Sequence, residues 1–218
     1  MKRVILICFS VSFMLIVSGC HEAEKRAGHI YQSLEESAKI EKEFAEQHLA
    51  TVKAGQEEQA LYKEIISLEM DQEEQVTQDT RDAQDFNTKE KQYLHESKKK
   101  FDQAYENFSQ IKSPVSHIKD SDVKEEVTIV VELMEKRREL FESYYDHYLE
   151  VLKLNGQFYE QLQNEELNIS EMSQQIKKIN ENYLSMEEKQ QQFNQNTKQY
   201  NKVKSKYYQN EVMVKKKV

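Results

Sequence analysis

From Ile169 to Tyr207 apolar and aromatic residues recur in alternating steps of three and four, a spacing that leaves a chain little to form except long packed helices. The series is Ile169, Met172, Ile176, Ile179, Tyr183, Met186, Gln190, Phe193, Thr197, Tyr200 and Tyr207, with a charge, Lys204, in the remaining step. Residues 123–162 repeat it through Val123, Val127, Val130, Met134, Arg137, Phe141, Tyr144, Tyr148, Val151, Asn155, Phe158 and Leu162. A looser series runs through Val76, Ala83, Phe86, Tyr93, Leu94, Phe101, Ala104, Phe108 and Ile111. The first stretch carries Ile30, Leu34, Ala38, Ala45, Leu49 and Val52, then Leu61, Ile65 and Leu68.

The breaks between these series are marked by local chemistry. Proline lacks an N–H, so Ser113-Pro114 predicts that the preceding helix stops near Ile111. Asp120 and Ser121 are N-cap candidates for the next helix. Asn168-Ile169-Ser170-Glu171 reads as a capping box, and Asp71-Gln72-Glu73-Glu74 has the same form. Four helices follow, about 22–70, 74–112, 121–165 and 169–212, the first either kinked near Gly55 or split into two pieces. Their matched lengths, roughly 60–70 Å at ~1.5 Å per residue, favour an all-α, elongated up-and-down bundle of antiparallel helices with coiled-coil-like packing. A single Pro and four Gly among 218 residues are too few turn-formers for an all-β fold. No second domain is visible beyond residue 20.

The start of the chain carries a different signal. Lys2 and Arg3 precede an apolar run from Val4 to Val17, and Val17-Ser18-Gly19-Cys20 follows. The run reaches about 21 Å as a helix, short of the ~30 Å that a spanning segment needs. Small residues abutting a cysteine have the form of a lipoprotein signal, residues 1–19, cleaved between Gly19 and Cys20. Cys20 would then carry a diacylglyceryl group as its only covalent addition, with no other cofactor expected. Two acyl chains anchor stably where one does not. Cys8 would leave with the leader, so the mature chain has no second thiol for a disulfide.

Charge narrows the partners. Removing Lys2 and Arg3 from the 31 basic residues leaves 29 against 39 acidic ones, a formal net charge of −10. Nucleic acid is a poor partner for such a surface, because no net positive field releases counterions. The C-terminal end departs from this balance: Lys198, Lys202, Lys204, Lys206, Lys215, Lys216 and Lys217 are opposed only by Glu211. In an up-and-down bundle both termini share one end, which places Lys215, Lys216 and Lys217 near anionic headgroups or polymer. The alternative for this tail is a frayed, solvated terminus.

Several stretches resemble the YkyA-type family of cell-wall-binding lipoproteins of Gram-positive bacteria. They are Glu57-Glu58-Gln59-Ala60-Leu61-Tyr62-Lys63-Glu64-Ile65-Ile66, then Met134-Glu135-Lys136-Arg137-Arg138 with Tyr145 and Tyr148. Ile176-Lys177-Lys178-Ile179-Asn180-Glu181-Asn182-Tyr183 and the run Phe193-Asn194, Tyr200-Asn201 and Tyr207-Tyr208 complete the likeness, which covers nearly the whole chain. It implies an elongated helical bundle on the outer face of the membrane. A hydrolase role has also been suggested for the family, but it supplies no catalytic motif that maps onto positions here.

Catalytic signals are weak on the residues' own terms. None of His29, His48, His95, His117 and His147 has Glu three positions earlier, as a di-iron bundle requires, and solvated surface histidines are the expectation. Acidic residues sit among lysines where i,i+4 pairing accounts for them. Asp146-His147 beside Tyr144 and Tyr145 is the one cluster with chemical interest, although neighbours on a helix diverge by about 100°. Arg137 and Asn155 interrupt an apolar seam and read as register devices rather than a ligand pocket, with Arg137 able to extend its stem to solvent. The many tyrosines read as core and half-core residues before they read as a sugar-stacking face.

The sequence therefore points to a lipid-anchored, extracytoplasmic, membrane-held bundle without catalysis, a cell-wall-binding or structural module with no catalytic or metal residues and no small-molecule substrate. The alternatives are a hydrolase or enzyme-activating factor in wall turnover, and an interaction rod docking a membrane protein.

Overall fold

The computed structural model describes residues 2–67, 72–163 and 169–215, with side chains described over 28–67, 72–163 and 170–210. Four long helices and one short one account for the described chain: α1 Lys2–Ile65, α2 Glu73–Ser109, α3 Lys112–Ser116, α4 Ser121–Gln163 and α5 Ile169–Lys215. α1 runs through Gly55 as one helix and begins upstream of Cys20, so the alternative of two pieces is set aside.

Each boundary has a local cause. α4 opens on Asp120, whose Oδ1 accepts from the backbone N–H of Asp122 at 3.0 Å and of Val123 at 3.1 Å. α2 lacks the expected cap: Gln72 occupies the N-cap position but its side chain does not cap the helix, and Glu73 and Glu74 complement the helix dipole instead. Asp71 and Asn168 lie outside the described residues. α2 ends three residues before the expected 112, and Pro114 is helical after all. It is the third residue of α3, within the first turn, where a missing N–H leaves no hydrogen bond unmade. α3 puts Val115 into the core.

Two antiparallel hairpins, α1/α2 and α4/α5, are the most closely packed pairs, and α2 against α4 joins them. α1 and α5 meet through side chains, as where Tyr31 lies 5.3 Å from Tyr208. The interior falls into three apolar segments along the axis. The near one holds Ile30, Leu34, Phe108, Ile111, Val130, Met134, Tyr200 and Tyr207. The middle one centres on Phe44, Phe101, Phe141 and Phe193, with rings 4.3–6.2 Å apart. The far one holds Tyr62, Ile65, Ala83, Phe158, Tyr159 and Ile179. Each large buried side chain contributes about 1.5–3 kcal/mol of transfer free energy. Where these segments meet, the seam is polar.

Candidate functional site

The layer between the near and middle segments is built on Arg137. Its guanidinium bonds Glu41 of α1 at 3.0 Å and Thr197 of α5 at 3.0 Å. Phe101, Phe193 and Tyr200 surround it at 5.3–5.4 Å from their ring centres. Arg137 is 3% exposed, so its stem does not run out to solvent; the aromatic faces and one carboxylate replace water.

The layer between the middle and far segments is acidic. Glu58 of α1 and Glu90 of α2 are 0% and 2% exposed. Tyr159 donates to Glu58 Oε1, joined by Asn155 Nδ2 at 2.8 Å, and Tyr183 donates to Oε2 at 3.2 Å. Tyr148 donates to Glu90 Oε1, while Glu90 Oε2 and Asn155 Oδ1 are buried without a partner. Gly55 makes room for this layer: a Cβ there would stand 2.5 Å from Glu90 Oε1 and 3.0 Å from the Tyr148 hydroxyl.

The electrostatics follow from burial. Loss of water pushes the Glu58 carboxyl above its ordinary range, against the pull of Tyr159, Tyr183, Asn155 and Asn87. Burial, reinforced by the Glu58 charge, pushes Glu90 up to about 8, with Tyr148 opposing. Burial thus favours the neutral form of Glu90, and the Tyr62 phenol is pushed up to about 12 by burial and Glu58. The layer can hold and release a proton. It cannot present its carboxyls to a substrate, because neither has an edge in solvent.

Over this layer, α2 and α4 leave an open groove of about 670 Å³. Asn87, Lys91 and His95 line it from α2, and Asp146, Glu150, Lys153, Gly156 and Glu160 from α4. Asn87 Nδ2 donates to the Leu152 carbonyl at 3.1 Å across its floor. The Asp146-His147 cluster does not assemble as a unit: Asp146 faces the groove with His95, and Tyr145 pairs with His95 at 2.6 Å. His48 departs from the expected solvated state; it is half-buried, stacked on Phe44 at 5.6 Å, and burial lowers its pKa. Among the described residues no group of His, Cys, Asp and Glu is arranged to hold a metal ion.

The tyrosines follow the core expectation. Tyr144, Tyr148, Tyr159, Tyr200 and Tyr207 are buried, while the exposed Tyr31 and Tyr93 lie on different helices and form no common platform. The side chains of Gly19, Cys20, Lys215, Lys216 and Lys217 lie outside the described ones. Among the described residues no helix is long and apolar enough to cross a membrane. Glu58 and Glu90 were not singled out by sequence. Their signal is the step pattern itself: Thr51, Ala54, Glu58 and Tyr62 on α1, and Ala83, Asn87, Glu90, Leu94 and Ser97 on α2, occupy inward positions three or four apart.

Fold and layers together define a long helical bundle with an aromatic, partly polar seam. The family model described as "Putative cell-wall binding lipoprotein" matches residues 25–210, and the chain belongs to this YkyA family. It is 28% identical over 194 residues to a Bacillus subtilis (strain 168) protein named "Uncharacterized lipoprotein YkyA", covering 89% of this chain and 86% of that protein. No solved structure matches the chain.

Proposed function

We propose that the mature chain starts at Cys20, is held to the outer face of the membrane by diacylglycerol on that residue, and binds cell-wall polymer without catalysing its turnover. Family membership supports the wall as the setting. The observation that carries binding over catalysis is the division of the polar groups. The two buried carboxyls are sealed inside, while the open α2/α4 groove mixes Lys91, Lys153 and His95 with Asp146, Glu150 and Glu160, each acid on a solvent-open face, and Lys153 is paired to Glu150 at 3.1 Å. Lys91, Lys153, Asn87 and His95 beside Asp146, Glu150 and Glu160 suit a polar ligand carrying amide groups and charges of both signs, as a peptide-substituted glycan does. Retention of the unlipidated chain on purified wall material tests this. Retention above that of an unrelated acidic helical bundle is expected, and Lys91→Glu with Lys153→Glu is expected to lower it several-fold. Equal retention of the control bundle overturns the proposal.

A further inference from the structure

At the far polar layer the two hairpins divide the chemistry between them. Both acids, Glu58 and Glu90, come from α1/α2. The groups bonded to them come from α4/α5, namely Tyr148, Asn155, Tyr159 and Tyr183, with Asn87 of α2 the exception. The other titratable groups that face the pair are Tyr62 of α1 and Tyr144 of α4. Among the described residues no arginine, lysine or histidine bonds to either acid, whereas the Arg137 layer sets a guanidinium 3.0 Å from Glu41. His48 reaches only the edge of this region, through its ring contact with Tyr144 at 5.6 Å.

Phenol and amide dipoles can support one buried negative charge, but a second brings repulsion and a further desolvation cost with nothing to offset them. Asn87, which bonds Glu58, also lines the open groove, where its amide donates to the Leu152 carbonyl across the two hairpins. We propose that this layer is a proton-dependent latch. It holds α1/α2 against α4/α5 while the Glu58–Glu90 pair retains a proton, and it lets that end of the bundle part along the α2/α4 groove when both carboxyls are ionised. The Arg137 layer stays closed, because Arg137 precedes Asn155 by about 27 Å of α4 at ~1.5 Å per residue and its charges are already paired. The opening is thus local rather than global. It does not depend on what the groove binds.

Hydrogen exchange of the full chain, followed by mass spectrometry between pH 5.5 and 9 and scaled for intrinsic rates, reads the latch. Peptides covering 80–94 and 144–159 are expected to lose protection at least tenfold across that interval. Peptides covering 127–141 are expected to keep theirs. Glu90→Gln, which fixes the neutral form, is expected to abolish the loss. On the unaltered chain, the infrared band of a protonated carboxyl is expected at pH 6.5 and should vanish in step with the protection, so the test stands even if the variant does not fold. Protection independent of pH, equal loss in both regions, the same loss in Glu90→Gln, or no protonated carboxyl at pH 6.5 each overturn the latch.

Discussion

The Tyr148 hydroxyl and the Glu90 carboxyl form a buried hydrogen bond between α4 and α2, in the space left by the missing side chain of Gly55. Three helices thus depend on one another at one point: α1 supplies the gap, α2 the acid and α4 the donor. A glycine inside a helix costs about 1 kcal/mol relative to alanine, and here the close approach of two buried polar groups accounts for it.

That geometry separates two glycines that look alike in sequence. Gly55→Ala gains helix propensity but forces Glu90 and Tyr148 apart, since its Cβ would sit 2.5 Å from Glu90 Oε1. A net loss of about 1–2 kcal/mol is expected. Gly28→Ala meets nothing within 4 Å and is expected to stabilise by up to about 1 kcal/mol. Urea unfolding followed by circular dichroism measures both, and stabilisation by Gly55→Ala would contradict the packing.

Buried acids leave little trace in a hydrophobic pattern. α4 and α5 are legible because apolar and aromatic residues fill most of their steps, and every α4 position of the series from Val123 to Leu162 is buried or half-buried. The α2 series looked loose because it followed hydrophobicity to Phe86 and the exposed Tyr93 and passed over Thr80, Asn87, Glu90 and Ser97. With those included, α2 keeps a strict three-four alternation from Thr80 to Phe108. On α1 the apolar residues misled: Ala45 is exposed and Leu49 is 54% exposed, while Phe44, Thr51, Ala54 and Glu58 face inward. A buried carboxyl is legible only through its register, and its partners on α4 and α5 lie 58 to 125 residues away.

The acid layer sets the sign of a pH dependence. Glu90 is raised in the folded state, to about 8 from 4.5, and Glu58 is raised as well. An unfolded chain releases these protons near 4.5 while the folded one keeps them, so rising pH favours unfolding. The Glu90 contribution is therefore greatest below about 4.5, declines as pH rises towards 8 and is flat above it, and Glu58 acts in the same direction. At ~1.4 kcal/mol per unit, Glu90 alone accounts for a few kcal/mol. Denaturation midpoints across pH 5–9 should fall for the wild type and fall less for Glu90→Gln.

Arg137 offers a contrasting test, because its layer is charge-paired. Arg137→Met leaves Glu41 without its guanidinium in a mostly buried position and is expected to destabilise by about 3–5 kcal/mol. Removing both charges with Glu41→Met and Arg137→Met should recover much of that loss, since apolar side chains can pack against Phe101, Phe193 and Tyr200. A double-mutant cycle on unfolding free energies checks it. Strictly additive losses would mean that Arg137 acts through its aromatic contacts alone.

The contact of Tyr31 with Tyr208 sets the last third of α5 beside the first turns of α1 whose side chains are described, on the side from which the chain runs back to Cys20. If Cys20 is acylated, the lysines following residue 210 are delivered to the membrane surface, where each basic group near anionic lipid adds about 1 kcal/mol. Cys20→Ala is expected to abolish metabolic labelling by fatty acid and to move the protein from the membrane fraction to the medium. The unlipidated chain should bind phosphatidylglycerol vesicles at low salt and lose that binding when residues 213–218 are deleted. The effect should fade by 0.5 M salt, where the screening length drops to about 4 Å. Equal vesicle binding with and without those residues would assign them no part in holding the bundle to the surface.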